Sequence, residues 1–195
     1  INGAVTKARE LQRHLHTARF APGDLTIGRG HPGARRRFGG GLLVQRSPRM
    51  AGVIADYERV LRQRTTLLKS ARARGIRADS LGTLDIWDDK LVTLGSQIID
   101  ARAALTADLA APVAAAYAAI AAEDHEPRLE WALSVSGNAV DEDGEGGAST
   151  SADFSASGEA SNRADGRIDT AAQFRVALAQ RRAAEFERGI TLVGP

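Results

Sequence analysis

The sequence predicts a mostly α-helical chain with a few strands, organised around an antiparallel helical hairpin. Three observations carry this reading. Apolar residues make up 43% of the 195, many of them alanine, while aromatics are only 5%. Alanine favours helix and buries little surface, so the helices should make thin, close contacts. Two long stretches repeat apolar side chains every three or four residues, and the link between them, residues 76–83, is short enough to fold the second back on the first.

The first long helix is expected to run from Ser47-Pro48 to Gly75. Ser47 suits the N-cap, Pro48 the first turn and Gly75 the stop. Met50, Val53, Ile54, Tyr57, Val60, Leu61, Leu67, Leu68 and Ala71 form its apolar stripe, while Arg59, Arg62, Arg64, Lys69, Arg72 and Arg74 take much of the rest. In the second helix Leu84, Trp87, Leu91, Leu94, Ile98, Leu105 and Leu109 keep the spacing of a coiled-coil seam, with Ala101 filling the gap. Pro112 is expected to bend or restart that helix. Val113, Tyr117 and Ile120 then carry a further stripe to about Glu123.

The remaining elements are shorter. Asn2-Gly3 reads as a hairpin turn, residues 5–15 as a short helix and His16–Phe20 as a strand. Residues 21–46, with Pro22, Pro32 and the run Gly39-Gly40-Gly41, read as loop. Leu129, Trp131, Leu133 and Val135 alternate with smaller or polar residues, the pattern of a half-buried strand. Residues 137–166 hold seven acids against one arginine and one large apolar side chain, Phe154, so disorder is expected there. Residues 168–188 return to a helical pattern that stops at Gly189, and Ile190–Val193 reads as a buried strand.

A net charge of +2 hides a steep gradient. Residues 1–77 carry 17 Lys/Arg against 4 Asp/Glu (net +13), and the remainder 9 against 20 (net −11). A polyanion-binding half beside an acidic half is the expectation, and almost all the basic residues are arginine, whose planar fork grips phosphate with two donors. The absence of cysteine excludes disulfides and thiolate chemistry. No apolar run is expected to approach the roughly 20 residues of a membrane span. Ile1-Asn2-Gly3 is neither a signal peptide nor an initiator methionine, so a cytoplasmic chain cut from something longer is expected.

No GxxxxGK[ST] loop occurs in the sequence, so ATP hydrolysis by this chain alone is not expected, and no catalytic residue is proposed. His14, His16, His31 and His125 make no metal-ligand pattern, and no cofactor is expected in the chain. Asp141, Glu142, Asp143 and Glu145 read as solvating charge, and Asp85, Asp88 and Asp89 as partners of a helix N-terminus. Candidate DNA-phosphate contacts are Arg35, Arg36, Arg37, Arg46 and Arg49, the densest cluster, together with Arg62, Arg64, Lys69, Arg72 and Arg74. The bland alternative is a solvated face with pairings to other parts of a larger protein.

Several ordered segments together resemble the RecF family of recombination-mediator ATPases, related to the ABC and SMC families. Phe20-Ala21-Pro22-Gly23-Asp24-Leu25, Gly30-His31-Pro32 and Arg35-Arg36-Arg37-Phe38 are similar to its signature of a Pro-acid-Asp stretch, Gly-x-Pro and paired arginines. Leu43–Arg49, Asp56–Arg64 and Leu67-Leu68-Lys69 resemble the start of its helical arm. Leu84–Asp88 with Leu91 resemble the second arm helix, and Glu187–Pro195 the strand returning to the ATPase head. Gly23 and Gly39-Gly40 depart from the family's acid and Leu-Asp pair.

The resemblance implies a helical arm on an incomplete α/β ABC-type head. Residues 1–45 would edge the head, 46–135 form the arm, 136–166 a linker and 167–195 the return. For a complete protein it implies ATP and magnesium, homodimerisation, and action in DNA replication, repair and the SOS response. DNA would be bound single- and double-stranded at gap junctions, with RecO and RecR as partners in RecA loading and no membrane role. Two rivals remain: a helical protein-interaction module using the Leu84–Leu109 seam and residues 112–123, and a degenerate chain without activity.

Overall fold

The computed structural model describes residues 5, 32–76, 82–121, 127–131, 133–136 and 169–195. Among them lie α1 (Pro32–Arg46), α2 (Met50–Ala73), α3 (Gly82–Ile120), a 3-10 turn (Ser134–Ser136) and α4 (Thr170–Arg188). The expected turn at Asn2-Gly3, the strand at His16–Phe20, the disordered stretch 137–166 and, but for Val5, the helix over 5–15 fall outside the described residues.

Cross-links fix the helix directions. Arg46 pairs with Asp108, and Arg64 with Asp88, so α2 and α3 run antiparallel, as the hairpin reading expects. Thr170 donates to Asp100, Arg175 to Asp89 and Arg182 to Asp85, which lays α4 antiparallel to α3 and therefore parallel to α2. The core lies where the three meet. Met50, Tyr57 and Val60 of α2 pack with Leu91, Val92 and Ile98 of α3, Phe174, Ala177 and Leu178 of α4, and Val193. Near the hairpin link, Leu68 and Ala71 close on Leu84, with Phe186 against them.

Gly95 is the closest approach in the α3–α4 seam. A Cβ there would collide with the ring of Phe174, which is fully buried, so only glycine admits the aromatic. Asp169 caps α4 through Oδ1, which accepts from the Ala172 N–H at 3.0 Å. Gly189 ends it at φ +66°, in the left-handed region, as the sequence predicts. Gly75 takes φ +64° just past α2 in the same way.

Five expectations need correction. The stretch from Pro32 to Arg46 is helix, not loop. Its glycines cost helix propensity, but Gly39 lets the Trp131 indole lie against the helix backbone, and Leu43 is buried on the same side. Ser47 is not the cap of α2: the N-cap is Arg49, without a side-chain bond. Instead the Ser47 N–H donates to Leu43 O, and its carbonyl accepts from Met50, while Pro48 has no N–H with which to extend α1. Pro112 lies inside α3 and does not restart the helix there. A helix-interior proline costs about 3 kcal/mol relative to alanine, and the alanine-rich sequence around it carries the helix through.

The other two corrections concern strands, of which the described residues contain none. Residues 129–131 and 133 are irregular, and Ser134–Ser136 forms the 3-10 turn. Ser134 Oγ donates to Gly194 O at 2.9 Å and accepts from Gly194 N–H at 2.8 Å, a side-chain clasp rather than a ladder. Residues 191–195 are likewise irregular, because the Leu192 and Val193 N–H groups donate to Glu185 Oε1. Period-two apolar patterning needs a neighbouring strand, and none lies beside either segment among the described residues.

α3 also revises the membrane reading. Alanine makes it, by length and composition alone, long and apolar enough to cross a membrane. Its buried residues end at Leu105, and Ile120 is 88% exposed.

Candidate nucleic-acid interface

The buried stripe of α2 runs through Tyr57, Val60, Arg64, Leu68 and Ala71. At 3.6 residues per turn Arg59 and Arg62 fall opposite it, while Lys69, which lies beside Gly189, and Arg72, one turn after Leu68, flank it; all four are exposed. Arg59 donates to Asp56 at 2.6 Å, and Arg62 lies 3.9 Å from Glu58, one turn earlier on the same helix. Such exposed pairs contribute little and are readily exchanged for other anions. Lys69, Arg72 and Arg74 have no carboxylate partner among the described residues, and neither do Arg37 and Arg49. Arg35, Arg36 and Arg37 occupy the first turns of α1, exposed. Arg46 is partly exposed and paired with Asp108 of α3.

Arg64 does not belong to this set. Its side chain is 0% exposed. Nε donates to Asp88 at 2.6 Å, Nη2 to Glu185 at 2.6 Å and Nη1 to Thr191 Oγ1 at 2.9 Å. Every edge of the guanidinium fork is therefore committed inside the protein. A buried charge tolerates this site only because two carboxylates and a hydroxyl satisfy it. The expectation that Arg64 contacts DNA is corrected: it ties α2 to α3, α4 and the segment after α4.

Sequence reasoning missed a second basic position, Arg102 of α3. Its guanidinium stacks over the Trp131 ring, 4.5 Å from the centroid. Trp131 is held by its Nε1–H, which donates to Thr106 Oγ1 at 2.8 Å. The signal was present, since Arg102 is the only lysine or arginine between Lys90 and Arg128. Tyr57 lies close by, and burial raises its phenol well above the ordinary value. No group of His, Asp or Glu side chains suited to a metal ion forms among the described residues.

No protein-family model matches the chain. Individual proteins do. It is 52% identical over its whole length to the DNA replication and repair protein RecF of Leifsonia xyli subsp. xyli, covering 48% of that protein. It is 48% identical to RecF of Clavibacter sepedonicus and 42% identical to RecF of Kineococcus radiotolerans, again over its whole length, covering 46% and 47% of them. The fold agrees with a solved structure described as that of the recombination mediator protein RecF-ATP in the RecFOR pathway. The TM-score is 0.66 at 20% identity, over 93% of this chain and 41% of the other. These relatives are named as members of one class, that of DNA replication and repair proteins, and the solved structure shares the fold. Within it, the chain belongs to the RecF family, and it spans about half the length of the curated relatives it matches.

Proposed function

We propose that this chain serves as the helical arm region of a RecF-type repair protein and that its exposed arginines hold DNA by its phosphates. The observation that carries the reading is the division of α2. One face is buried in the bundle, and the exposed remainder of the helix presents Arg62, Lys69 and Arg72. Arg35, Arg36, Arg37, Arg46, Arg49 and Arg74 extend the basic surface, while Arg64 is left out of it. Contacts of this kind position a protein on nucleic acid without reading sequence.

For a protein of RecF length we further infer ATP and magnesium binding, ATP-dependent dimerisation, and action with RecO and RecR in loading RecA at gaps. The nucleotide loop belongs to other parts of such a protein, since this sequence has no GxxxxGK[ST] run. We place the work in the cytoplasm, on DNA rather than on a membrane. The test is fluorescence anisotropy of the chain with labelled single-stranded and duplex DNA over a range of salt. Affinity should fall steeply with salt, and salt-independent binding contradicts the reading.

One observation favours protein docking as a second reading. The distal part of α3, beyond Leu105, is alanine-rich and largely exposed. Capture of RecR or RecO by a chain that fails to bind DNA would support it.

A further inference from the structure

Phe38 lies on the outer side of α1. The helix buries Gly39 and Leu43. Phe38, a step of about 100° round the axis from Gly39, is 49% exposed and belongs to neither hydrophobic cluster. A single exposed ring is ordinary by itself. Its surroundings set this one apart. Glycine inside a helix is destabilising relative to alanine, and the Trp131 contact accounts for Gly39 alone, because side chains at positions 40 and 41 would meet open space. Positions three apart are neighbours on a helix surface, so with glycine at 41 no side chain from that position shields the Phe38 ring. Arg37, the residue before Phe38, is exposed and has no carboxylate partner among the described residues.

Among the described residues Phe38 is the one exposed aromatic. Tyr57 and Phe174 are buried, and Phe186 packs against the cluster of Leu68, Ala71 and Leu84. Both tryptophans carry a cation, Lys90 over Trp87 at 4.9 Å from the ring centroid and Arg102 over Trp131. No cation lies over the Phe38 ring among the described residues, although Arg37 is beside it in the chain. An open aromatic next to an uncommitted guanidinium is the combination that single-stranded nucleic acid uses, base on ring and phosphate on cation.

We propose that Phe38 is a base-stacking residue: an unpaired base of single-stranded DNA lies on its ring while Arg37 takes a backbone phosphate. The proposal rests on the DNA-binding reading above and sharpens it. Exposed arginines engage the backbone of either form of DNA, whereas only a strand with free base faces can use the ring. In a duplex the bases are stacked on one another, so Phe38 adds nothing there. Every base has such a face, so the contact is tolerant of sequence.

The test uses the full 195-residue chain and fluorescence anisotropy with a labelled thymidine oligonucleotide and a labelled duplex of equal length, each over a range of salt. Phe38→Ala should weaken single-strand binding roughly 5- to 150-fold, the range for losing one base–aromatic stack. It should leave duplex affinity unchanged, and it should leave the slope of log affinity against log salt unchanged, because no phosphate contact is removed. Phe38→Tyr keeps the ring and should bind as the parent does. Circular dichroism checks that each variant is folded. Single-strand affinity unchanged in Phe38→Ala, an equal loss on duplex, or an equal loss in Phe38→Tyr would overturn this inference and leave the phosphate contacts standing. A folded parent chain that binds neither form of DNA in a salt-dependent way would overturn both.

Discussion

At position 64 a side chain that looks like one more arginine of a basic helix turns out to be an internal tie. The spacing Tyr57, Val60, Arg64, Leu68 and Ala71 already places it on the buried stripe, so its location was legible. Its partners were not, because Glu185 and Thr191 lie more than a hundred residues away in sequence. Replacing Arg64 by Met should destabilise the chain by about 3–5 kcal/mol, because Glu185 would be left as uncompensated buried charge, while Asp88 keeps Arg182. Combining it with Glu185→Gln should recover part of that loss, and urea denaturation of the single and double variants measures both. Gly95 acts through size instead. Gly95→Ala should cost about 1–3 kcal/mol, because the buried Phe174 ring has no room to retreat. A thermal melt unchanged from the parent would show that the α3–α4 seam yields more easily than this.

At the scale of elements, helices with a continuous apolar stripe and a local stop signal were readable. The bodies of α2 and α4 are examples, ended by Gly75 and Gly189 in left-handed geometry. α1 was not readable, because Gly39-Gly40-Gly41 hides a helix whose reason is tertiary: the contact between Gly39 and Trp131. The two expected strands failed for a related reason. Alternation describes a surface, while a strand also needs a partner, and Ser134 and Glu185 instead satisfy the backbone groups of Gly194, Leu192 and Val193. The cap of α4 offers a local check. Asp169→Ala should cost about 1 kcal/mol by exposing the Ala172 N–H, visible as faster amide exchange in the first turn of α4.

For the whole molecule, the charge gradient in the sequence acquires a shape. Of the acids at the start of α3, Asp88 is turned inward onto Arg64, while Asp85 and Asp89 pair with Arg182 and Arg175 at the surface. The exposed arginines of α2 face away from the bundle. Asp88 and Glu185 thus help to assemble the helices, while Arg59, Arg62, Lys69 and Arg72 stay exposed. Which arginines are available was the part of the candidate site that sequence could not rank. Burial removes Arg64, and the Asp108 pair engages Arg46.

The most direct measurement is the salt dependence of DNA affinity, by fluorescence anisotropy, for the parent chain and for Arg62→Ala/Lys69→Ala/Arg72→Ala. All three side chains are exposed and none belongs to the buried core, so the triple variant should fold as the parent does. Each phosphate that the variant no longer neutralises should lower the slope of log affinity against log salt by about 0.9 on duplex DNA, so the variant should bind more weakly and with a shallower slope. Equal affinity and equal slope in parent and variant would contradict the account and show that the basic face of α2 is a solvated surface.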